Sequence, residues 1–265
     1  MALDASGKIY VANRTGGGGN GSVTVFAAHP SGMLDETPLA TITGSNTGLA
    51  NPSAIALDTS GRIYVTNSAA AGGGSVTVYA ANPSGTLNET PLATIAGGNT
   101  GLDAPDGVAF DGGANIYVTN ENGGSGGNGS VTLYAANPSG ALNEAPLATI
   151  SGSNTGLRNP IGLAVDGAGR IDVVDFFTNS LTVYPANPSG TLNEAPLATI
   201  AGSSTLLGSP DGIALDASGK LYVANGYGAI TVYAANPSGT IDEAPLGTIT
   251  GDTTSLFGPV GVAVH

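Results

Sequence analysis

Short apolar runs separated by small polar turns make up the whole chain, and no window shows a helical period. The second of its units shows the pattern most plainly. Ser53-Ala-Ile-Ala-Leu57 is an apolar run. Asp58-Thr-Ser-Gly61 is a tight turn, in which Asp can form an Asx-turn and Gly can take a positive φ. Arg62–Thr66 and Ser75–Tyr79 are rich in β-branched and aromatic residues, Asn82-Pro-Ser-Gly85 is a second turn cluster, and Pro91–Ile95 is a fourth run. The pattern predicts four short strands and almost no helix.

This unit recurs along the chain. The Asp that follows the apolar triplet stands at Asp4, Asp58, Asp111, Asp166 and Asp216, at spacings of 54, 53, 55 and 50 residues, and His265 holds the same place 49 residues later. Four strands in a repeat of this length is the signature of a β-propeller blade. The expected fold is an all-β, five-bladed β-propeller with four antiparallel strands per blade, forming a single domain over residues 1–265. Blade 1 takes residues 259–265 plus 1–43, blade 2 residues 52–96, blade 3 residues 105–151, blade 4 residues 160–201 and blade 5 residues 210–250. In this layout the C-terminal strand 259–265 completes the blade of residues 7–43, so the ring has no open sheet edge. A β-helix is the competing repeat architecture, but its coils are shorter and its turns simpler.

Segments such as Pro210-Asp-Gly-Ile-Ala-Leu-Asp-Ala-Ser-Gly-Lys-Leu-Tyr-Val-Ala-Asn225 resemble NHL-type propeller repeats, once per blade over the whole chain. The chain departs from that pattern in carrying Asn13, Asn67, Asn120 and Asn225 after the Tyr-Val pair, and in its long Asn-Pro-Ser-Gly loop. The resemblance implies the propeller fold. It is shared by interaction scaffolds, metal-dependent lactonases and lyases, so it selects none of these activities.

Composition narrows the partners. The net charge is −13, with only six Lys and Arg, so there is no cation cluster to neutralise phosphates, and nucleic acid is excluded as a partner. Anionic membrane surfaces are disfavoured for the same reason, and no apolar run reaches the 18 residues that membrane insertion requires. Divalent cations and neutral ligands suit the charge better. There is no Cys, which removes disulfides and thiol chemistry. Low Lys with abundant Gly, Ser, Thr and Asn points to an extracellular or cell-surface bacterial protein, although the chain carries no signal peptide pattern. A monomer is expected.

Candidate chemistry sits on the face bearing the loops after the second strands and between blades. In blades 4 and 5 these loops are short and carry Phe176, Phe177, Leu206, Leu207, Tyr227, Leu256 and Phe257, an apolar set that suggests a contact site for a protein, peptide or glycan. Packing over the core is the competing reading. In blades 1 to 3 the corresponding loops are long and Gly-rich. The central mouth is expected to gather Asn13, Asn67, Asn120, Asp175 and Asn225, with Asp106 and Asp211 nearby. Oxygen ligands converging there could hold Ca²⁺, whereas local capping of strand ends is the plainer role. Glu36, Glu89, Glu144, Glu194 and Glu243 recur once per blade on the opposite face and read as a solvated rim. Asp172 stands where the other blades have Tyr10, Tyr64, Tyr117 and Tyr222, and a buried unpaired carboxylate there is costly.

No catalytic residue stands out. Neither His29 nor His265 has the partners of a catalytic base. The favoured function is therefore a non-catalytic binding or scaffold propeller. The alternatives are a divalent-metal-dependent lactonase- or lyase-like enzyme with its ion at the channel mouth, and a purely structural repeat module of a larger surface protein.

Overall fold

The recurring Asp organises each blade from its first turn. In the second blade Oδ1 of Asp58 accepts hydrogen bonds from Ser60 N (2.9 Å), Ser60 Oγ (2.7 Å) and Arg62 N (2.9 Å). Its Oδ2 accepts from Arg62 Nε at 2.6 Å and from the Tyr64 hydroxyl at 3.4 Å. One carboxylate thus closes the turn and ties it to the second strand. Partial burial works against ionisation, but the hydrogen bonds from Ser60 and Arg62 hold Asp58 below the usual carboxylate range. Asp4, Asp111 and Asp216 repeat the arrangement with Tyr10, Tyr117 and Tyr222.

The structure is a computed structural model that describes residues 1–15, 19–32, 35–69, 73–124 and 128–264. It is all-β apart from one short 3₁₀ turn at Asp252–Thr254, and its five blades are those of a β-propeller. It divides into two compact units. One comprises residues 1–108 with 137–145, and the other residues 109–136 with 146–264; the strand Pro105–Phe110 runs through the boundary.

In the first unit, blade 1 contains Ala2–Leu3, Ile9–Asn13, Ser22–Phe26 and Ala40–Ile42, in that spatial order. Blade 2 contains Pro52–Leu57, Ile63–Asn67, Ser75–Tyr79 and Ala93–Ala96. Ile63–Asn67 and Ser75–Tyr79 are buried along their whole length, which explains why these segments lack a polar face. Tyr10, Val23, Val25, Ile42, Ile55, Ile63 and Val65 pack into one core shared by the two blades. Each such side chain contributes roughly 1.5–3 kcal/mol by leaving water.

The second unit holds Ile116–Asn120, Ser130–Tyr134 and Ala148–Ile150 of the third blade. The fourth blade is Pro160–Val165, Ile171–Asp175, Ser180–Tyr184 and Ala198–Ile200. The fifth is Pro210–Leu215, Leu221–Asn225, Ala229–Tyr233 and Gly247–Ile249. The inner strands of blades 2, 4 and 5 each shift register after their Pro, between Pro52 and Ile55, Pro160 and Leu163, and Pro210 and Ile213.

Two features correct the expected layout. The place beside Ile9–Asn13 is held by Ala2–Leu3, with Ala2 opposite Tyr10 and Leu3 opposite Ile9, where residues 259–265 were expected. Met1-Ala-Leu-Asp4 already carries the end of the inner-strand motif, and Asp4 N bonds Lys8 O at 3.1 Å to lead it into the turn. Residues 259–264 hold no strand, and His265 lies outside the described residues. The backbone of Val260–Val262 lies against Gly212 of the inner strand of blade 5, as Asp211 and Gly212 lie against Gly162 of blade 4.

The second correction is a fifth strand in four of the blades. The segment after each Asn-Pro-Ser turn, expected to be loop, forms a short strand that pairs in parallel with the outer strand of the preceding blade. Gly85–Leu87 pairs with Ala40–Ile42, and Gly140–Leu142 with Ala93–Ile95. Gly190–Leu192 pairs with Ala148–Ile150, and Gly239–Ile241 with Ala198–Ile200. The Asn or Asp after each strand reaches the same blade again. Asn143 Oδ1, for example, accepts from Asn99 N at 3.0 Å.

Gly97 makes room for that side chain. Its φ is +110°, and a Cβ there would lie 2.6 Å from the Asn143 amide. Gly97→Ala is therefore expected to destabilise the protein by ~1–3 kcal/mol, and Asn143→Ala by ~1 kcal/mol. Gly97→Ala introduced into the Asn143→Ala background should cost less than it does alone, a coupling that a double-mutant cycle by denaturant unfolding would measure.

Candidate functional site

Asp175 ends the second strand of blade 4 and builds the loop that follows. Its Oδ2 accepts from Arg158 N (2.6 Å) and Asn159 N (2.8 Å). Its Oδ1 accepts from Phe177 N (3.1 Å), Thr178 N (2.9 Å) and Thr178 Oγ1 (2.9 Å). This fixes the two-residue tip Phe176-Phe177, and the Arg158 guanidinium lies over the Phe177 ring, 5.2 Å from its centroid.

Neighbouring loops of the same unit are tied to this one through the backbone. Ser209 N donates to Asn179 Oδ1 (2.7 Å), Gly226 N to Ser209 O (2.9 Å), and Gly208 N to Asn225 Oδ1 (3.0 Å). The Tyr227 ring lies so close over Gly208 that a Cβ there would approach it to 2.5 Å. The result is a set of pinned loops carrying Phe176, Phe177, Leu206 and Tyr227 exposed to solvent, with Leu207 half-buried; Phe257 is likewise exposed and Leu256 half-buried. Tyr227 is 83% exposed, Phe257 91% and Phe177 68%. Leu207 packs against the core of blades 4 and 5, so it belongs to the seal as much as to the surface.

The residues expected at the channel mouth are engaged within their own sheets. In the first unit, Asn13 Nδ2 donates to Ser22 Oγ and Thr24 Oγ1, and Asn67 Nδ2 to Ser75 Oγ and Thr77 Oγ1. Asn67 Oδ1 accepts from Ala50 N at 3.1 Å. Asp106 pairs with Arg14 at 3.1 Å, a contact that nothing in the sequence signals. Ser53 Oγ donates to Pro105 O, and Thr66 Oγ1 to Asp106 O, so this stretch of backbone is also stitched down.

In the second unit, Asn120 Nδ2 donates to Ser130 Oγ and Thr132 Oγ1, and Asn225 Nδ2 to Thr231 Oγ1. Asp211 lies on the inner strand of blade 5, its carbonyl close against Gly162. A carboxylate offers about four lone-pair sites, and Asp175 takes five donors, so it has none to give a cation. Among the described residues no three His, Asp or Glu side chains gather as a metal-ligand group. With both its oxygens taken up in this way, Asp175 does not fit as a ligand of a divalent ion.

Glu36, Glu89, Glu144, Glu194 and Glu243 are all exposed. His29 takes φ +54°, matching Asn82, Asn137, Asn187 and Asn236, and so serves as the turn residue of its loop. Parts of the Gly-rich loops of blades 1 to 3 (residues 16–18, 70–72 and 125–127) lie outside the described residues.

Asp172 is 1% exposed, and among the described residues neither carboxylate oxygen has a hydrogen-bond partner. Burial, reinforced by the nearby Asp166 charge and opposed by Arg170, raises its pKa to about 7.

A family model described as SMP-30/Gluconolactonase/LRE-like region matches residues 52–259. No curated protein matches the chain. The match is to this propeller family and not to NHL repeats specifically, so the resemblance seen in the sequence holds at the level of the propeller.

Two outcomes follow from these environments. Asp172 keeps its proton in the folded state where the unfolded chain has lost it. The stability that Asp172 contributes is therefore fully present below about pH 4, falls as the pH rises, and levels off above about pH 7. Asp172→Asn should flatten that slope in Tm measured against pH. Asp172→Tyr, which restores the hydroxyl partner of Asp166, should stabilise the protein at pH 8 by ~1–3 kcal/mol. Asp175→Ala should cost ~2–4 kcal/mol through the amides it leaves unbonded, by the same amount with or without Ca²⁺.

Proposed function

The chain belongs to the SMP-30/Gluconolactonase/LRE-like family, and from that premise we propose that it is a non-catalytic member that binds a protein, peptide or glycan through the apolar patch of its fourth and fifth blades. The observation that carries this reading is the exposure of the Phe177, Tyr227 and Phe257 rings, the first two on loops held by backbone and Asp175 hydrogen bonds. Leaving such rings in water forgoes roughly 1.5–3 kcal/mol each, which a ligand covering them would recover. Loops already pinned lose little further backbone freedom on binding. Their free faces suit the apolar faces of sugars or apolar peptide side chains, and the net charge of −13 favours neutral or basic ligands.

The family includes lactonases, which supports a second reading as a divalent-metal-dependent lactonase- or lyase-like enzyme. Against it stand the five donors that occupy Asp175.

Glycan and peptide arrays followed by calorimetry test the proposal. Tyr227→Ser and Phe257→Ser should each weaken binding at least ~10-fold, and Tm should not respond to EDTA. Binding that ignores both substitutions overturns the assignment of the patch. Ca²⁺-dependent turnover of a simple aldonolactone by the unmodified chain favours the enzymatic reading instead.

A further inference from the structure

A shallow cleft borders the Asn-Pro-Ser turn, and it is built the same way in more than one blade. In blade 2 it is lined by Tyr79, Pro83, Leu87, Glu89 and Leu92, with the buried Ile42 of the preceding outer strand. In blade 5 the residues at the same repeat positions, Tyr233, Pro237, Ile241, Glu243 and Leu246 with the buried Ile200, line a cleft of about 280 Å³. In blade 1 Phe26, Pro30 and Glu36 line a third, of about 180 Å³. Apolar walls and one carboxylate are thus repeated together.

The Leu is supplied by every repeat, three residues after the Glu, and in every repeat it stands in solvent. Leu39, Leu92, Leu147, Leu197 and Leu246 are 49–65% exposed. The sheet sets their positions alike, because their backbone N–H groups donate to Val25, Val78, Leu133, Val183 and Val232 O at 2.7–2.8 Å. Scattered exposed leucines need no explanation, but the same Leu left in water beside the same Glu in all five repeats marks a contact surface. The Glu carboxylates are exposed, and the ion pairs among the described residues (Arg14 with Asp106, Arg62 with Asp58, Arg170 with Asp166) do not involve them.

We propose that these clefts take the lysine side chains of a partner polypeptide, one Lys to a cleft. A Lys side chain is an apolar stem of four methylenes ending in a compact ammonium. In blade 2 the stem covers Leu92 and Pro83 and the ammonium meets the Glu89 carboxylate; in blade 5 Leu246, Pro237 and Glu243 do the same. Charge complementarity selects this occupant. The chain has 19 Asp and Glu against six Lys and Arg, and no Lys or Arg among the described residues lines these clefts. A net charge of −13 draws a basic partner and repels an acidic one. The clefts are smaller than the roughly 300–1,000 Å³ of pockets that enclose whole small molecules, so they suit a side chain. A single cleft holds its Lys weakly, and a partner bearing several Lys gains affinity by engaging more than one.

The probe is a fluorescein-labelled flexible peptide in which Lys alternates with Gly and Ser, titrated into the whole chain at about 0.15 M salt and followed by anisotropy. Saturable binding is expected with Kd of about 10 µM to 1 mM. A peptide of equal charge, with each Lys shortened to diaminopropionate, keeps the ammonium and loses most of the stem, and should bind at least ~10-fold more weakly. The combined substitutions Leu39→Ser, Leu92→Ser, Leu147→Ser, Leu197→Ser and Leu246→Ser leave the net charge unchanged and should reduce the Lys peptide to the level of the shortened one, with the fold checked by circular dichroism. In the unsubstituted chain the methyl resonances of Leu92 and Leu246 should shift with the Lys peptide and not with the shortened one. Equal binding of the two peptides, or binding indifferent to the Leu substitutions, is general attraction to an acidic surface and overturns the proposal. No binding at about 1 mM peptide overturns it as well.

Discussion

A β-strand at the edge of a sheet has a row of backbone donors and acceptors to satisfy, and the way this chain meets that requirement governs the rest of its structure. Each outer strand of blades 1 to 4 takes its last partner from the repeat that follows it in sequence. A blade is thus finished by its successor, and neighbouring repeats are joined by backbone pairing as well as by the apolar cores between them. The Gly and the Asn or Asp that serve each junction act as a pair, because the positive φ of the one clears the space that the other fills.

Much of this was legible in the sequence, and the reasons are physical. The Asp at the end of the inner strand recurs because one carboxylate closes the turn, and its periodicity counts the blades. The paired β-branched runs are visible because both faces of the central strands are buried, which leaves no polar alternation. The donated strand was not legible. Gly-Thr-Leu is only three residues long, is largely exposed, and follows a Pro-Ser turn, so it carries the composition of a loop. The signal that could have revealed it is the fixed company of Gly-x-Leu-Asn with the Gly that follows Ala-Thr-Ile in the preceding repeat.

The candidate site divides in the same way. Phe176, Phe177, Tyr227 and Phe257 could be singled out because they break a repeat pattern, and the structure leaves them in solvent. What the sequence does not show is how they are held. Asp175 departs from the Asn found in the other blades because its two oxygens serve five donors around a tip only two residues long. An amide, with a single acceptor oxygen, could not do this. Asp172 is the opposite case. It has lost the tyrosine of its counterparts and gained no partner among the described residues, so it leaves a polar group buried without compensation in its sheet.

Strand donation also sets an order in time. As the polypeptide leaves the ribosome, the first four blades can each assemble three or four of their strands at once, but the outer edge stays unsaturated until roughly one more repeat has been synthesised. Assembly is therefore directional, with each newly made unit sealing the one before it. The edge exposed during synthesis moves along the nascent chain one blade at a time, so that at any moment a single blade presents the unprotected rim at which mispairing with another chain can begin.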